Sequence, residues 1–294
     1  MSCIASLLRD FEKAGIECML LKGAALTLRH YRDYGLRSMG DFDVLVHQED
    51  IEPSVRVLFR NGWTAEGGCT IDAIRRQSRV RHAWQFLRDG TQNCDLHWQP
   101  LARCYSPRIA EMFWQQAETV KLDDRVVSLP CPTDQFFHAC VHAMHWEWTP
   151  NVYWVADALT VLRDSEIDWE RAAVLAAASS MRVYFSRALA TLVSQFGNAM
   201  PALAEEDAAP EWERREYALM QKRCPLGFAD SIAWHFYHFR RIRHFDARWR
   251  EAPMPIGFAQ YLAAFLDAPT WPALFTGLWA QAKLRAREYA RLRP

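Results

Sequence analysis

The sequence lacks several features, and each absence removes a class of function. Its 294 residues contain no uninterrupted apolar run of about 18 residues, so no segment is expected to span a bilayer. The 35 Lys and Arg balance 35 Asp and Glu. That argues against a generic nucleic-acid or membrane-surface binder, which relies on excess positive charge. No Cys-x-x-Cys occurs among the eight scattered cysteines, so they read as reduced thiols of a cytoplasmic protein. There is no internal repeat or low-complexity tract, and the start of the chain, with Arg9 and Asp10 after a short apolar run, reads as an amphipathic helix and not a secretory signal. What is abundant is apolar and aromatic matter: half the residues are hydrophobic and thirteen are Trp. Such a chain builds a packed core with aromatic-lined walls.

The first 130 residues alternate between helical and extended patterns. A helix near 2–14 ends at Gly15, Ile16–Leu21 has strand length, 24–31 looks helical, and Phe42–Val46 is a second strand. A helix over about 50–60 stops at Asn61-Gly62. Ala83–Arg88 and Gln92–Trp98 flank Asp89-Gly90 and predict an antiparallel hairpin, and a second hairpin surrounds Asp123-Asp124. After Pro132 strand signals vanish, and helical spacing runs through 133–146, 152–162, 169–196, 212–221, 231–245, 258–266 and 271–291. The expectation is an α+β protein: a mixed-sheet α/β domain over 1–130, then an all-helical domain over 131–294.

The chemistry concentrates in two stretches, Leu20-Leu21-Lys22-Gly23-Ala24-Ala25 and Arg37-Ser38-Met39-Gly40-Asp41-Phe42-Asp43-Val44-Leu45-Val46. Strand geometry turns Asp41 and Asp43 to one face while Phe42 and Val44 turn to the core. Two such carboxylates repel unless a cation lies between them, and hard oxygen donors suit Mg²⁺. Gly23-Ala24 falls at a strand-to-helix junction, where free backbone N–H groups favour a phosphate. On the hairpin strand Asp95 and His97 share a face, and Asp95 beside Phe42–Val46 completes a triad able to hold two ions. Without that neighbourhood the three carboxylates would be solvated strand-end residues, and Lys22 an ordinary surface lysine.

A small-residue pair after a strand, Asp-x-Asp on the next and an Asp on a later one resembles the DNA polymerase β-like nucleotidyltransferase superfamily. The three ordered blocks here, including Asp95-Leu96-His97-Trp98, are similar to its bacterial "uncharacterised nucleotidyltransferase" branch. The resemblance covers the first 130 residues and continues more loosely through the histidine-rich helix and Tyr153-Trp154-Val155-Ala156-Asp157. It implies an Mg²⁺-dependent enzyme with two ions, Mn²⁺ being able to substitute, that moves a nucleoside monophosphate from an NTP (ATP among them) to an acceptor and releases pyrophosphate. Asp41, Asp43 and Asp95 would be the catalytic metal ligands, and Lys22, Gly23, Ala24 and Arg37 would hold the nucleotide. The superfamily has Gly-Ser or Gly-Gly where this chain has Gly23-Ala24, so a serine contact to phosphate is missing and backbone amides must serve. That departure motivates the alternative, a nucleotide-binding regulatory module without transfer activity.

His138, His142 and His145 recur at spacings of four and three and share one helical face. With His97 they are read as an acceptor pocket, Trp146 and Trp148 standing near for stacking; the plainer reading is histidines satisfied between helices. Asp157 either orients one of them or lies on a solvated face. A metal-dependent hydrolase centred on these histidines lacks an HExxH arrangement and ranks last. Residues 234–243, aromatic and Arg-rich, form either a core-packed helix with a basic end or an RNA-stacking surface. Charge is even over 1–130 (17 basic, 17 acidic), acidic over 131–216 (6 against 13) and basic over 217–294 (12 against 5). A small-molecule or peptide/protein acceptor is therefore favoured over RNA, and if RNA binds, it binds after residue 217. No membrane partner is expected, and the oligomeric state is left open.

Overall fold

The computed structural model describes residues 2–143, 153–197, 208–221, 228–268 and 270–291. In chain order the first half runs α1 (Ser2–Lys13), β1 (Cys18–Leu21), α2 (Lys22–Leu26), β2 (Phe42–Val46), α3 (Ile51–Arg60), β3 (Thr64–Ala65) and α4 (Ile71–Gln77). Then come β4 (Ala83–Arg88), β5 (Gln92–His97), α5 (Pro107–Gln115), β6 (Glu118–Leu122) and β7 (Arg125–Leu129). A π-helical turn over Thr27–Tyr31 prolongs α2.

All seven strands form one mixed sheet in the order β3-β4-β5-β2-β1-β7-β6. β2 lies at its centre, antiparallel to β1 and parallel to β5. The Asp89-Gly90 turn between β4 and β5 has positive φ at both residues (55° and 67°), the conformation that matches the twist of a two-residue hairpin. β2 is buried along its whole length, so its near-continuous apolar run is that of a strand covered on both faces.

The second half is helical: α6 (Pro132–Ala143), α7 (Tyr153–Asp164), α8 (Trp169–Ala178), α9 (Arg182–Phe196), α10 (Glu211–Met220), α11 (Phe228–Phe245), α12 (Ala247–Glu251), α13 (Met254–Phe265) and α14 (Trp271–Arg291). No strand follows Leu129 among the described residues, and the architecture is α+β. The helix expected over 169–196 is broken in two. Ser180 adopts φ 55°, and the guanidinium of Arg241 on α11 donates to the carbonyls of Ser179 and Ser180 at 3.3 and 3.0 Å. A buried tertiary cation thus stabilises the break that local spacing does not announce.

Three apolar cores hold the elements together. One lies between the sheet and α1 and α3, around Phe11, Leu58, Trp63, Phe86 and Leu96. The second, around Phe136, Phe137, Tyr184 and Phe185, also takes in Leu26, Leu101 and Phe113 from the first half, so α2 and α5 are roofed by the later helices. The third gathers α11, α13 and α14 around Phe239 and Tyr261, with Val80 and Tyr105 reaching in. No described helix is long and apolar enough to cross a membrane, and the seven described cysteines are free thiols.

Candidate active site

β1 ends at Leu21, and the next residue, Lys22, takes a left-handed backbone (φ 46°) as the chain turns into α2. In the antiparallel register Leu21 lies opposite Asp43, and Lys22 Nζ donates to Asp43 Oδ1 at 2.5 Å. The same oxygen is 2.9 Å from His97 Nε2, and Nδ1 of that ring is 3.2 Å from the Gln99 carbonyl. Asp43 is 3% exposed. Burial alone would raise its pKa, but Lys22 and His97 outweigh it and hold the carboxyl well below the usual carboxylate range. Lys22 is correspondingly held above its ordinary value: desolvation opposes its charge, and the attraction of Asp43 overcomes that.

The parallel β2–β5 register sets Asp95 directly beside Asp43. Asp95 carries the opposite shift, raised by burial and by the negative charge of Asp43. Its Oδ1 is buried without a hydrogen-bond partner. Asp43, Asp95 and His97 each offer a donor atom within 4.8 Å of the others. Asp41, exposed just before β2, stands outside that compact group but lines the same cavity. Partial burial and the Asp43 charge raise its carboxyl as well.

These groups face a cavity of about 570 Å³, a small-molecule scale. α6 contributes one stripe to its wall, Gln135, His138, Ala139 and His142, and α7 adds Trp154 and Asp157. His82, Trp84, Gln85 and Glu66 also line it. His138 is held well below the imidazole range by burial and by His142. His142 is pulled down to about 3 by burial and by the Lys22 charge. Both rings are therefore neutral near pH 7, and the rings touch edge to face, their centroids 5.8 Å apart. His145, Trp146 and Trp148 lie outside the described residues.

The structure gives the remaining sequence readings a definite environment, and of the two offered for residues 234–243 it bears out the core-packed helix. Arg37 lines the cavity, but its guanidinium makes a two-pronged pair with Asp157, Nε to Oδ1 at 2.9 Å and Nη2 to Oδ2 at 3.1 Å. Asp157 is thus neither a histidine orienter nor a solvated residue; it is buried under Arg37 and the Tyr31 hydroxyl, which donates to it at 2.9 Å. Gly23 lines the cavity, whereas Ala24 is buried in the sheet core. Met39 from the strap before β2 closes over Gly23, its Cγ 3.1 Å from where a Cβ would stand. The Arg-rich α11 is a core helix: Arg241 is fully buried against Glu216, His238 bonds the Tyr105 hydroxyl, and Phe239 and Ile242 lie in the third core.

A protein-family model described as an uncharacterised nucleotidyltransferase matches residues 3–197. The chain belongs to that nucleotidyltransferase family. The matched span ends where Gly197 caps α9, so it takes in the whole sheet, α6 and α7, and leaves α10–α14 outside. No curated protein matches the chain. Among solved structures it is similar to an antigenic nucleotidyltransferase-like protein from Paracoccidioides brasiliensis, with 15% identity, 71% of this chain and 91% of that chain covered, and a TM-score of 0.42.

In this member of the uncharacterised nucleotidyltransferase family the structure brings together Lys22, Gly23, Asp41, Asp43, Asp95, His138 and His142 on one cavity, with His97 beneath Asp43. Gln135 and His82 line it too, and sequence reasoning passed over both. Gln135 carried a usable signal, since it precedes His138 by three and His142 by seven and so shares their stripe. His82 follows from hairpin register: Ala83 pairs with His97, which sets the His82 ring 5.4 Å from that of His97.

Proposed function

We propose that the protein transfers a nucleoside monophosphate from an NTP to an acceptor hydroxyl and releases pyrophosphate, with Mg²⁺ as cofactor. The observation that carries this reading is Asp95 Oδ1, buried and unpartnered on a cavity-lining residue beside Asp43, in a chain of nucleotidyltransferase family. A raised, unpartnered carboxylate beside an ionised one is a donor set that fits a hard dication. Asp43 and Asp95 would hold it, with Asp41 at the rim as the carboxylate for a second ion and Mn²⁺ as an acceptable substitute. The bound metal neutralises phosphate charge and lowers the pKa of the acceptor hydroxyl.

The chain's own groups do the rest. Asp95 takes the hydroxyl proton as that oxygen attacks the α-phosphorus; the new O–P bond forms and the bond from that phosphorus to the bridging oxygen breaks, freeing pyrophosphate. Lys22 and the Gly23–Ala24 backbone would meet the triphosphate. Arg37 joins them by exchanging the Asp157 carboxylate for phosphate oxygens. His97 holds Asp43 in place from behind. The helices after residue 131 form the acceptor domain, whose α6 histidines face the reacting centre. A small-molecule or peptide acceptor suits this cavity better than RNA, because the inward side of α11 is engaged in the core. The free thiols suit a cytoplasmic setting.

The test is turnover of a panel of labelled NTPs with Mg²⁺ and cell extract, followed by mass spectrometry of whatever gains a nucleotide. Asp43→Ala with Asp95→Ala is expected to lower labelling by at least about 100-fold; undiminished labelling overturns the assignment. One observation favours a second reading, a regulatory nucleotide-binding module: the Lys22 ammonium already neutralises Asp43. NTP binding that ignores Mg²⁺, with no pyrophosphate released, would select it.

A further inference from the structure

The α6 wall differs chemically from the rest of the cavity. Gln135 and His138 are each 4% exposed. The Gln135 amide nitrogen donates to the Pro130 carbonyl at 2.7 Å, while Gln135 Oε1 and His138 Nε2 have no partner. Buried polar atoms without partners are rare and unfavourable, so two of them on a cavity wall mark a place a ligand satisfies. His142 follows one turn on and completes a stripe about 10 Å long by helix rise.

That stripe bears no formal charge. Its imidazoles are neutral, α6 itself carries no Lys or Arg, and in the transferase reading Lys22 and Arg37 are taken up by the triphosphate. A phosphate lying on it would find no free cation, and it cannot donate to Gln135 Oε1. An ammonium would be desolvated, and the α6 carboxylate, Asp134, is already paired with Arg171 and does not line the cavity. A hydroxyl both donates and accepts, so it satisfies the amide oxygen and either tautomer of an imidazole nitrogen. Three such groups on successive turns suit a molecule carrying several hydroxyls.

We propose that the Gln135–His138–His142 stripe is the acceptor subsite and that the acceptor is an uncharged polyhydroxylated small molecule of the sugar or cyclitol class. The proposal rests on the transferase reading for the word acceptor, but the subsite itself is a binding claim. Its position follows from electrostatics: the charges of Lys22 and Asp43 act on both rings, so a hydroxyl held there faces the carboxylates.

The experiment is calorimetry on the full chain without NTP or metal. The probes are a set of neutral sugars and cyclitols, their monophosphates, their amino counterparts and a short RNA. At least one neutral polyol is expected to bind more tightly than its phosphorylated and aminated forms and than the RNA. His138→Phe and His142→Phe keep ring volume and remove the nitrogens, and each is expected to weaken that binding about tenfold. Gln135→Met provides a third variant should either fail to unfold cooperatively. Absence of neutral-polyol binding, equal binding of charged forms, or affinity unmoved by these variants overturns the proposal. ATP binding in Mg²⁺, measured separately, reports on the transferase reading: its absence removes that reading while polyol binding can stand.

Discussion

Lys22 and Asp43 form an ion pair between residues on neighbouring strands' ends, Nζ to Oδ1 at 2.5 Å, inside the cavity that carries the candidate catalytic carboxylates. The deepest acid of the site is therefore ionised by a cation of the chain itself. Its neighbour Asp95 has no such partner, and the site is electrically asymmetric.

Replacing Lys22 by Met leaves a buried carboxylate with only His97 beside it. Because the lysine is partly exposed, the loss of stability is expected near 2 kcal/mol, below the range for a fully buried pair. Urea unfolding with and without Mg²⁺ checks this, and the cation is expected to recover part of the loss. A variant as stable as the parent without metal would show that the pair contributes nothing.

Acid should destabilise the protein through its α6 histidines. Their folded pKa values are depressed, to about 3 for His142, so their contribution is complete above the unfolded value near 6.5. It is lost as pH falls from there toward 3, since the unfolded rings bind protons that the folded rings refuse. Each contributes a slope of up to about 1.4 kcal/mol per pH unit in that window. Unfolding measured across pH 4–6 is expected to show a shallower slope for His138→Phe by about that amount.

The Arg37–Asp157 pair makes a signed prediction for nucleotide binding. Asp157→Asn weakens the hold on Arg37 and should tighten Mg²⁺-dependent ATP binding, whereas Arg37→Ala should weaken it about tenfold. Calorimetry on the two variants decides. If both weaken binding equally, the pair acts by fixing the strap and not by supplying a phosphate ligand.

Gly23→Ala sets a methyl 3.1 and 3.2 Å from Met39 Cγ and Sδ. Met39 is only partly buried and its thioether can swing, so stability should fall by less than about 1 kcal/mol. Nucleotide affinity should fall further, and the double variant with Met39→Ala should restore it. An unrecovered double variant would place the effect in the backbone turn at Lys22 instead.

Arg241→Met should be the most damaging of these changes, by about 3–5 kcal/mol, because Glu216 loses its principal partner and the Ser179 and Ser180 carbonyls lose theirs. Arg241→Lys should rescue little, since an ammonium cannot reach the carboxylate and both carbonyls together. Chemical denaturation of the pair measures the difference.

Much of the first half was legible because its signals are local. Phe42–Val46 emerges with the expected bounds, and Asp89-Gly90 places the hairpin, since turn chemistry and alternation act over a few residues. The helix break at Ser179-Ser180 was not legible, because its cause sits some sixty residues later on α11. α4 and α5 were passed over for another reason: both are short amphipathic helices whose apolar residues complete cores defined by distant elements.

The sequence by itself determined the α+β class and the family, and it singled out Asp41, Asp43 and Asp95 as candidates through strand alternation and ordered motifs. Only the tertiary structure decided their environment. The parallel β2–β5 register sets Asp95 against Asp43, and Lys22 satisfies one of them and not the other. Packing of α7 on the strap diverts Arg37 to Asp157, and α6 turns a neutral stripe toward the same cavity. These outcomes depend on distances between residues far apart in the chain, and Coulomb energy and hydrogen bonding respond to those distances, not to sequence spacing.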